Sequence, residues 1–220
     1  MTVSHGLLNV FHYLTRYETL KKIALGLLFA GAFAGGYGLY YWYSIRCDKE
    51  AQKIFAECLE HFERASASED NAAWDDVVRA FDVGFDRYKK TSFGPYFLAF
   101  KADALVRLNK QAEAITTMGL MVEKLSTASP LYYLYAIKHA LLKIDSSDTI
   151  IKSEGYADLE KLSEAKKNPY QDMALYYIGY NAYVYGDPER AQKVWTKLIR
   201  LHGASSIWSQ MAQAKLEFTA

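Results

Sequence analysis

The side chains that could hold a metal ion are few in this sequence, and they lie far apart along the chain. The five histidines are His5, His12, His61, His139 and His202. No two of them have the i, i+4 spacing that a helical metal site requires, with a third ligand nearby. Glu57, Cys58 and His61 form the nearest cluster, and such a cluster is more typical of a solvated helix face. We therefore expect no bound metal or cofactor.

Nucleophiles and paired carboxylates are equally scarce. Cys47 and Cys58 lie on one predicted helix, roughly 16 Å apart, which is farther than a disulfide can reach. The sequence contains no glycine-rich phosphate loop and no G-x-S-x-G motif. Asp75 and Asp76 are adjacent acids, but we place them in the first turn of a helix, where acids stabilise the helix dipole. We predict that the protein is not an enzyme.

The overall composition excludes several further classes of protein. The chain has 220 residues, of which 26 are basic and 25 acidic, so its net charge is +1. A nucleic-acid-binding protein would need a basic surface, and this balance argues against one. Two cysteines in a chain of this length exclude a disulfide scaffold.

The elements that must position any site begin with an apolar segment. Residues 23–45 read IALGLLFAGAFAGGYGLYYWYSI, 23 residues without a charge. As a helix this segment would be roughly 35 Å long, enough to cross a bilayer. We predict a transmembrane helix that acts as an uncleaved signal anchor, because the run is longer than a signal peptide's apolar core and no A-x-A site follows it. The alternative is a buried core helix. The residues typical of an interfacial aromatic belt are Tyr37, Tyr40, Tyr41, Trp42 and Tyr43.

The residues around and within this segment suggest how it sits in a membrane. Residues 1–22 form a tail whose apolar residues follow helical spacing, so that it is either an amphipathic helix on the membrane face or a frayed lead-in. Gly31, Gly35 and Gly38 would let another transmembrane helix approach closely, although glycine is common in such helices.

Basic residues flank the apolar segment almost equally on its two sides. Residues 1–46 carry a net charge of +3 and residues 47–220 a net charge of −2, which weakly favours a cytoplasmic N-terminus. The tail pattern consists of Leu7, Val10, Phe11, Leu14 and Tyr17.

The rest of the chain has helical periodicity and no sustained strand alternation, which predicts an all-α protein. We divide it into a juxtamembrane helix and loop over residues 46–70 and a helical domain over residues 71–220. All four prolines fall where a predicted helix begins, as proline at the first helical position allows. The predicted helices cover residues 48–66, 72–90, 95–108, 111–125, 130–144, 153–167, 169–185, 188–202 and 205–218.

Two stretches of the domain resemble a tetratricopeptide repeat. In the first, Gly179 would lie where two helices cross, Gly186 would form the turn, and Ala191 and Trp195 would pack from the second helix. A weaker copy has its equivalents at Ala102, Leu105, Asn109, Ala114 and Met118. Ala114 and Ala191 are 77 residues apart, not a multiple of about 34, so we expect an insertion near residues 145–152. The repeats predict a tetratricopeptide-like solenoid, although generic helical hairpins would give each match alone.

The 18 tyrosines suggest a protein-binding surface. Tyrosine gives contact area and a hydrogen bond at small entropic cost, and solenoids often bind partners along one face. The alternative is that the tyrosines pack between neighbouring helices. The predicted binding residues are Tyr96, Asp103, Arg107, Tyr133, Met173, Tyr176, Tyr180 and Tyr183.

The arrangement of tail, single span, adjoining helix and repeat domain resembles the ancillary SecYEG translocon subunit family of bacteria. The segments that carry the resemblance are GGYGLYYWYS, GDPERAQKVW and WSQMAQAKLEFTA. It implies a single-pass inner-membrane protein with a cytoplasmic N-terminus and a periplasmic repeat domain. Its function would be that of a protein-protein interaction module, an accessory component of protein translocation or of a periplasmic chaperone network that meets client polypeptides. It implies no catalytic residues. The alternative is a structural accessory subunit of a larger membrane complex.

Overall fold

A computed structural model describes residues 4–68 and 70–219, with side chains described for residues 21, 22, 25–68 and 70–217. Within these residues the fold is all-α and contains no strand, as predicted. A short 3-10 turn, Gly203–Ser205, precedes the last helix. The α-helices are α1 Ser4–Ser66, α2 Asn71–Tyr88, α3 Gly94–Arg107, α4 Gln111–Lys124, α5 Pro130–Ile144, α6 Thr149–Glu164, α7 Gln171–Val184, α8 Pro188–His202 and α9 Ile207–Thr219.

The chain divides into two units, residues 1–50 and residues 51–220. The boundary differs from the predicted one, because Ala51, Cys58 and Ala65 of α1 are core residues of the second unit. The predicted juxtamembrane helix therefore belongs largely to the helical domain. The apolar pattern predicted for the N-terminal tail, Leu7 to Tyr17, lies outside the described side chains.

The apolar segment of the first unit is helical and exposed. Leu28, Phe29 and Phe33 each leave about 70% or more of their surface accessible. Among the residues that the structure describes, no helix combines the length and the apolar character needed to cross a membrane.

Capping aspartates mark the starts of α2, α6 and α8. Asp70 accepts a hydrogen bond from the Ala72 amide at 2.8 Å, and Asp148 accepts one from the Ile150 amide at 2.8 Å. These bonds satisfy amides that a helix leaves without partners at its start. Because Asp70 caps α2, Asp75 and Asp76 fall in its second turn, not in its first as predicted.

The loops also differ from the prediction in two places. Asp148 starts α6 at Thr149, so the expected insertion at residues 145–152 is reduced to a loop of residues 145–148. The other loops of the middle part of the chain cover residues 125–129 and 165–170, and they contain the rest of its extra length. Pro169 lies two residues before α7, whereas the other three prolines occupy the first two positions of their helices.

Each helix from α2 onward packs against the next one along the chain. Four clusters of buried residues follow each other in the same order. The first joins the end of α1 to α2 and α3, the second joins α3 and α4, the third α5 to α7, and the fourth α7 to α9. Successive packing of this kind is expected of helical hairpins that each bury a face on their neighbours.

The two predicted repeat copies have the same turn. Asn109 has a φ of 57° and Gly186 a φ of 85°, both in the left-handed region. In each turn the amide of the following residue bonds back into the helix, from Lys110 to the Leu105 carbonyl at 2.9 Å and from Asp187 to the Ala182 carbonyl at 2.8 Å. This is the hydrogen bond of a Schellman motif. The turn predicted at these two positions is confirmed.

Candidate functional site

The end of α7 carries the two predicted tyrosines that are exposed to solvent. Tyr180 is 38% exposed and Tyr183 is 42% exposed. We call this pair the α7 tyrosine surface. Tyrosines one helical turn apart lie on the same side of a helix, so they offer a continuous aromatic area.

Buried aromatic rings support the α7 tyrosine surface from below. The ring of Tyr180 stacks on that of Tyr176, with centroids 6.3 Å apart. Tyr183 contacts Trp195 of α8, with centroids 6.0 Å apart. Because rings at these distances attract each other, the exposed pair is held in place before any partner binds.

Trp195 lies at the point where α7 and α8 cross, directly beneath the α7 tyrosine surface. Its ring is buried, and Nε1 donates a hydrogen bond to the backbone carbonyl oxygen of Tyr176 at 3.2 Å. A Cβ atom built on Gly179 would lie 2.4 Å from the same nitrogen. Gly179 therefore lies at the crossing of the two helices, as predicted, and the side chain that meets it most closely there is Trp195.

Tyr176 itself is a core residue and not part of an open surface. It is 5% exposed and contacts Trp208 of α9, with centroids 5.3 Å apart. Burial, followed by the neighbouring Tyr177 and Tyr180, raises the pKa of its phenol. The prediction that its side chain binds a partner directly is not compatible with this burial.

Tyr96 and Asp103 of α3 face the next hairpin. The Tyr96 ring lies edge-on to that of Tyr135, with centroids 6.4 Å apart, and Asp103 pairs with Lys138 at 2.7 Å. Burial, then Tyr96 and Asp103, raise the pKa of Tyr135. Here the alternative that tyrosines pack between neighbouring helices describes the structure better than a binding surface.

The three remaining predicted residues lie in separate surroundings. Arg107 is exposed, and its guanidinium lies 5.9 Å from the ring centre of Trp74. Tyr133 is half-buried beside Tyr132, and Met173 is half-buried against the third core cluster. The eight predicted residues are thus not one surface, and Tyr180 with Tyr183 is the pair that remains available.

The predicted packing glycines of the first unit are uncovered. A Cβ built on Gly31, Gly35 or Gly38 would meet no atom within 4 Å. These positions offer a smooth strip on an exposed helix.

Sequence reasoning missed an apolar residue that adjoins the tyrosine surface. Val184 is 54% exposed and lies one turn after Tyr180, so it extends the surface to the end of α7. Tyr185 is equally exposed, but its ring contacts Tyr156 of α6 and does not belong to this surface. The apolar run YVY at residues 183–185 indicated large side chains at the end of this helix. Helical periodicity alone did not show which of them face solvent. Sequence reasoning also missed a cleft between α6, α7 and α8, described below.

Within the described side chains, no three histidine, cysteine, aspartate or glutamate residues are grouped as a metal site would require. The candidate site consists of exposed aromatic side chains in contact with buried ones.

No protein-family model matches the chain, and neither a curated protein nor a solved structure matches it.

Proposed function

We propose that this protein is a membrane-anchored protein-protein interaction module. The α7 tyrosine surface is the observation that carries the proposal. Its two rings are more than a third exposed, yet each contacts a buried aromatic side chain. Rigid aromatic groups of this kind bind partners at a small cost in side-chain entropy.

The tetratricopeptide-like arrangement supports the same function. Two turns of equal geometry, at Asn109 and Gly186, connect hairpins that pack in sequence. Repeats of this kind present side chains of successive helices on a common face, which suits an extended client.

The anchor is proposed to be the apolar segment of residues 23–45, in a single pass. The proposal depends on two features: 23 residues without a charge, and large apolar side chains that are exposed from Leu25 onward. Aromatic residues from Tyr40 to Tyr43 would then lie at a membrane interface. The charge difference between the two parts of the chain favours a cytoplasmic N-terminus. The resemblance to the translocon subunit family implies that the membrane is a bacterial inner membrane and that the domain is periplasmic.

The resemblance to the ancillary SecYEG translocon subunit family gives the proposal its biological setting. We propose an accessory role in protein translocation or in a periplasmic chaperone network. The partners would be translocon or chaperone components, or client polypeptides. Lipid would contact the span.

A structural accessory subunit of a larger membrane complex is the second candidate. The uncovered strip of Gly31, Gly35 and Gly38 favours it, because such a strip permits close contact with another helix in a membrane.

Crosslinking from Tyr180 in intact cells distinguishes the two functions. A photoreactive amino acid replaces Tyr180 in the full chain, and the same group at Val83, which is 69% exposed on α2, serves as the control. Capture of many different polypeptides from Tyr180 and few from Val83 supports client binding. One stoichiometric neighbour supports the structural subunit, and identical patterns at both positions would refute the tyrosine surface.

Cysteine labelling tests the orientation. Cys58 is unsuitable because it is buried, so Ser147→Cys, in the exposed loop before α6, is introduced into a chain without Cys47 and Cys58. Reaction with a membrane-impermeant maleimide in intact spheroplasts supports a periplasmic domain. Reaction only after the membrane is opened would show the reverse orientation.

A further inference from the structure

A small cleft lies where α6, α7 and the start of α8 meet. Its volume is about 220 Å³, which is below the roughly 300 Å³ at which pockets for small-molecule ligands begin. Ile178, Asn181 and Ala182 of α7 line it and are buried, so they form its floor. A cleft of this size suits one large side chain.

The walls of the cleft are aromatic. The rings of Tyr156 on α6 and Tyr185 at the end of α7 lie edge to face, with centroids 6.4 Å apart. The Lys152 ammonium lies 4.9 Å from the ring centre of Tyr185, whose side chain is 54% exposed. An aromatic ligand entering here would add a third ring to this pair in the geometry that rings prefer.

The floor offers one hydrogen-bond acceptor. The Asn181 side-chain Nδ2 donates to the backbone carbonyl oxygen of Tyr177 at 2.8 Å. This bond fixes the amide, and the Oδ1 atom accepts no hydrogen bond from any described residue. An unpaired carbonyl oxygen in a largely buried side chain favours a ligand that brings a donor.

The mouth of the cleft has balanced charge. Arg190 of α8 pairs with Glu160 of α6 at 2.6 Å, and Asp187 accepts a hydrogen bond from the Arg190 amide at 3.0 Å. The guanidinium and the Glu160 carboxylate neutralise each other, and the Lys152 ammonium beside Tyr185 offsets the Asp187 carboxylate. Neither a cationic nor an anionic side chain is therefore attracted over a neutral one.

We propose that this cleft binds a tryptophan side chain of a partner polypeptide, with the indole N–H donating to Asn181 Oδ1. Tryptophan has an aromatic face, a single donor, no acceptor and no charge. Tyrosine also brings a donor, but its phenol oxygen is an acceptor as well, and the amide N–H of Asn181 in the floor is already bonded to the Tyr177 carbonyl. Phenylalanine lacks the donor, and leucine lacks the ring. Tryptophan is also among the side chains that most often anchor an interface by filling a pocket.

The inference rests on the proposed function only in that the ligand belongs to a polypeptide. The cleft is separate from Tyr180 and Tyr183, neither of which lines it. A titration with a capped amino acid therefore tests the cleft alone, whereas crosslinking from Tyr180 tests client binding.

The test is a titration of the full chain in detergent with N-acetyl-tryptophanamide, followed by NMR saturation transfer from protein to ligand. N-acetyl-phenylalaninamide and N-acetyl-leucinamide are the comparison ligands. We expect saturable binding of the tryptophan amide, with the phenylalanine amide about fivefold weaker, since one hydrogen bond is lost. Absence of saturation, or equal affinity for the phenylalanine amide, would overturn the proposal.

Two variants locate the binding site. Tyr185→Ala removes an exposed wall and should weaken the tryptophan amide about fivefold. Val184→Ala is the matched control, because Val184 is equally exposed at the end of the same helix but does not line the cleft. Circular dichroism of both variants checks the fold. Unchanged binding in a folded Tyr185→Ala variant would place the ligand elsewhere and refute the assignment.

Discussion

Gly179 of α7 and Trp195 of α8 are in such close contact that a methyl group does not fit between them. A Cβ on Gly179 would lie 2.4 Å from Nε1 of Trp195, and the same nitrogen donates to the Tyr176 carbonyl oxygen. One glycine thus permits the helix crossing that brings Trp195 beneath Tyr183 and supports the tyrosine surface.

We expect Gly179→Ala to lower the free energy of unfolding by about 1–3 kcal/mol, because the added methyl displaces a buried indole. The gain in helix propensity from alanine, about 1 kcal/mol, offsets part of this cost. Urea unfolding followed by circular dichroism gives the measurement. Gly36→Ala is the control, since a Cβ at Gly36 meets nothing within 4 Å. Equal stability of the two variants would contradict the close crossing.

The left-handed turn at Asn109 gives a second prediction. Asn109→Ala should cost about 1 kcal/mol, because alanine is disfavoured at a φ of 57°. Asn109→Gly should retain the stability of the parent chain, since glycine adopts this conformation without a steric cost. Thermal unfolding of both variants, at one protein concentration, measures the difference. A glycine variant as unstable as the alanine variant would show that side-chain contacts, not backbone conformation, determine the choice of residue.

The two cysteines should differ in reactivity. Cys58 is 4% exposed, and burial, followed by the charge of Glu57, raises its pKa to about 11. The thiolate is the reactive form, so Cys58 should not react at pH 7.5 in the folded chain. Cys47 is half-buried.

Mass spectrometry after brief treatment with iodoacetamide should find one modified thiol per folded chain and two in denaturant. Cys47→Ser should remove the fast reaction and Cys58→Ser should leave it. Rapid modification of the folded Cys47→Ser variant would mean that Cys58 is not buried.

His139 should make stability depend on pH. Burial, then Lys143, lower its pKa, and the opposing effects of Asp158, the Ile115 carbonyl and Glu123 are smaller. Folding therefore favours the neutral imidazole. As the pH falls below about 6.5, the unfolded chain takes up a proton before the folded protein does. The contribution of His139 to the free energy of unfolding is therefore complete above that pH and is lost as the pH falls toward the lower pKa of the folded state.

His139→Gln should flatten this part of the curve. Urea unfolding of both proteins at pH 7.5, 6.5 and 5.5 gives the comparison, because the difference between the two curves isolates His139 from other titrating groups. The quantity compared is the free energy of unfolding of the parent chain minus that of His139→Gln, and we expect it to decrease as the pH falls. A constant value over this range would refute the effect, and a value that increases as the pH falls would show the opposite sign.

Local patterns in the sequence predicted much of the fold. Helical periodicity and capping residues predicted most helices of the second unit to within a few residues, because these signals act over one or two turns. The pair Asn109 and Gly186 predicted matching turns for the same reason. The error at residues 145–152 arose because Asp148 was not recognised as the N-cap of α6, so that residues 149–152 were assigned to the loop.

Which tyrosines are exposed was not determined by the sequence. Tyr176 and Tyr180 lie on one side of α7, and the pattern assigned both to a binding surface. The structure buries Tyr176 against Trp208 of α9 and leaves Tyr180 open.

The sequence by itself determined an all-α fold, most of its helix boundaries to within a few residues and its repeated turns, because hydrogen bonds and side-chain periodicity within a helix are local. Only the tertiary structure decided that Tyr96 and Asp103 serve the contact between hairpins, and that Tyr156 and Tyr185 meet above Asn181. These relationships join helices that are distant along the chain. Their geometry depends on how close the backbones approach, and a pattern within one helix does not encode that distance.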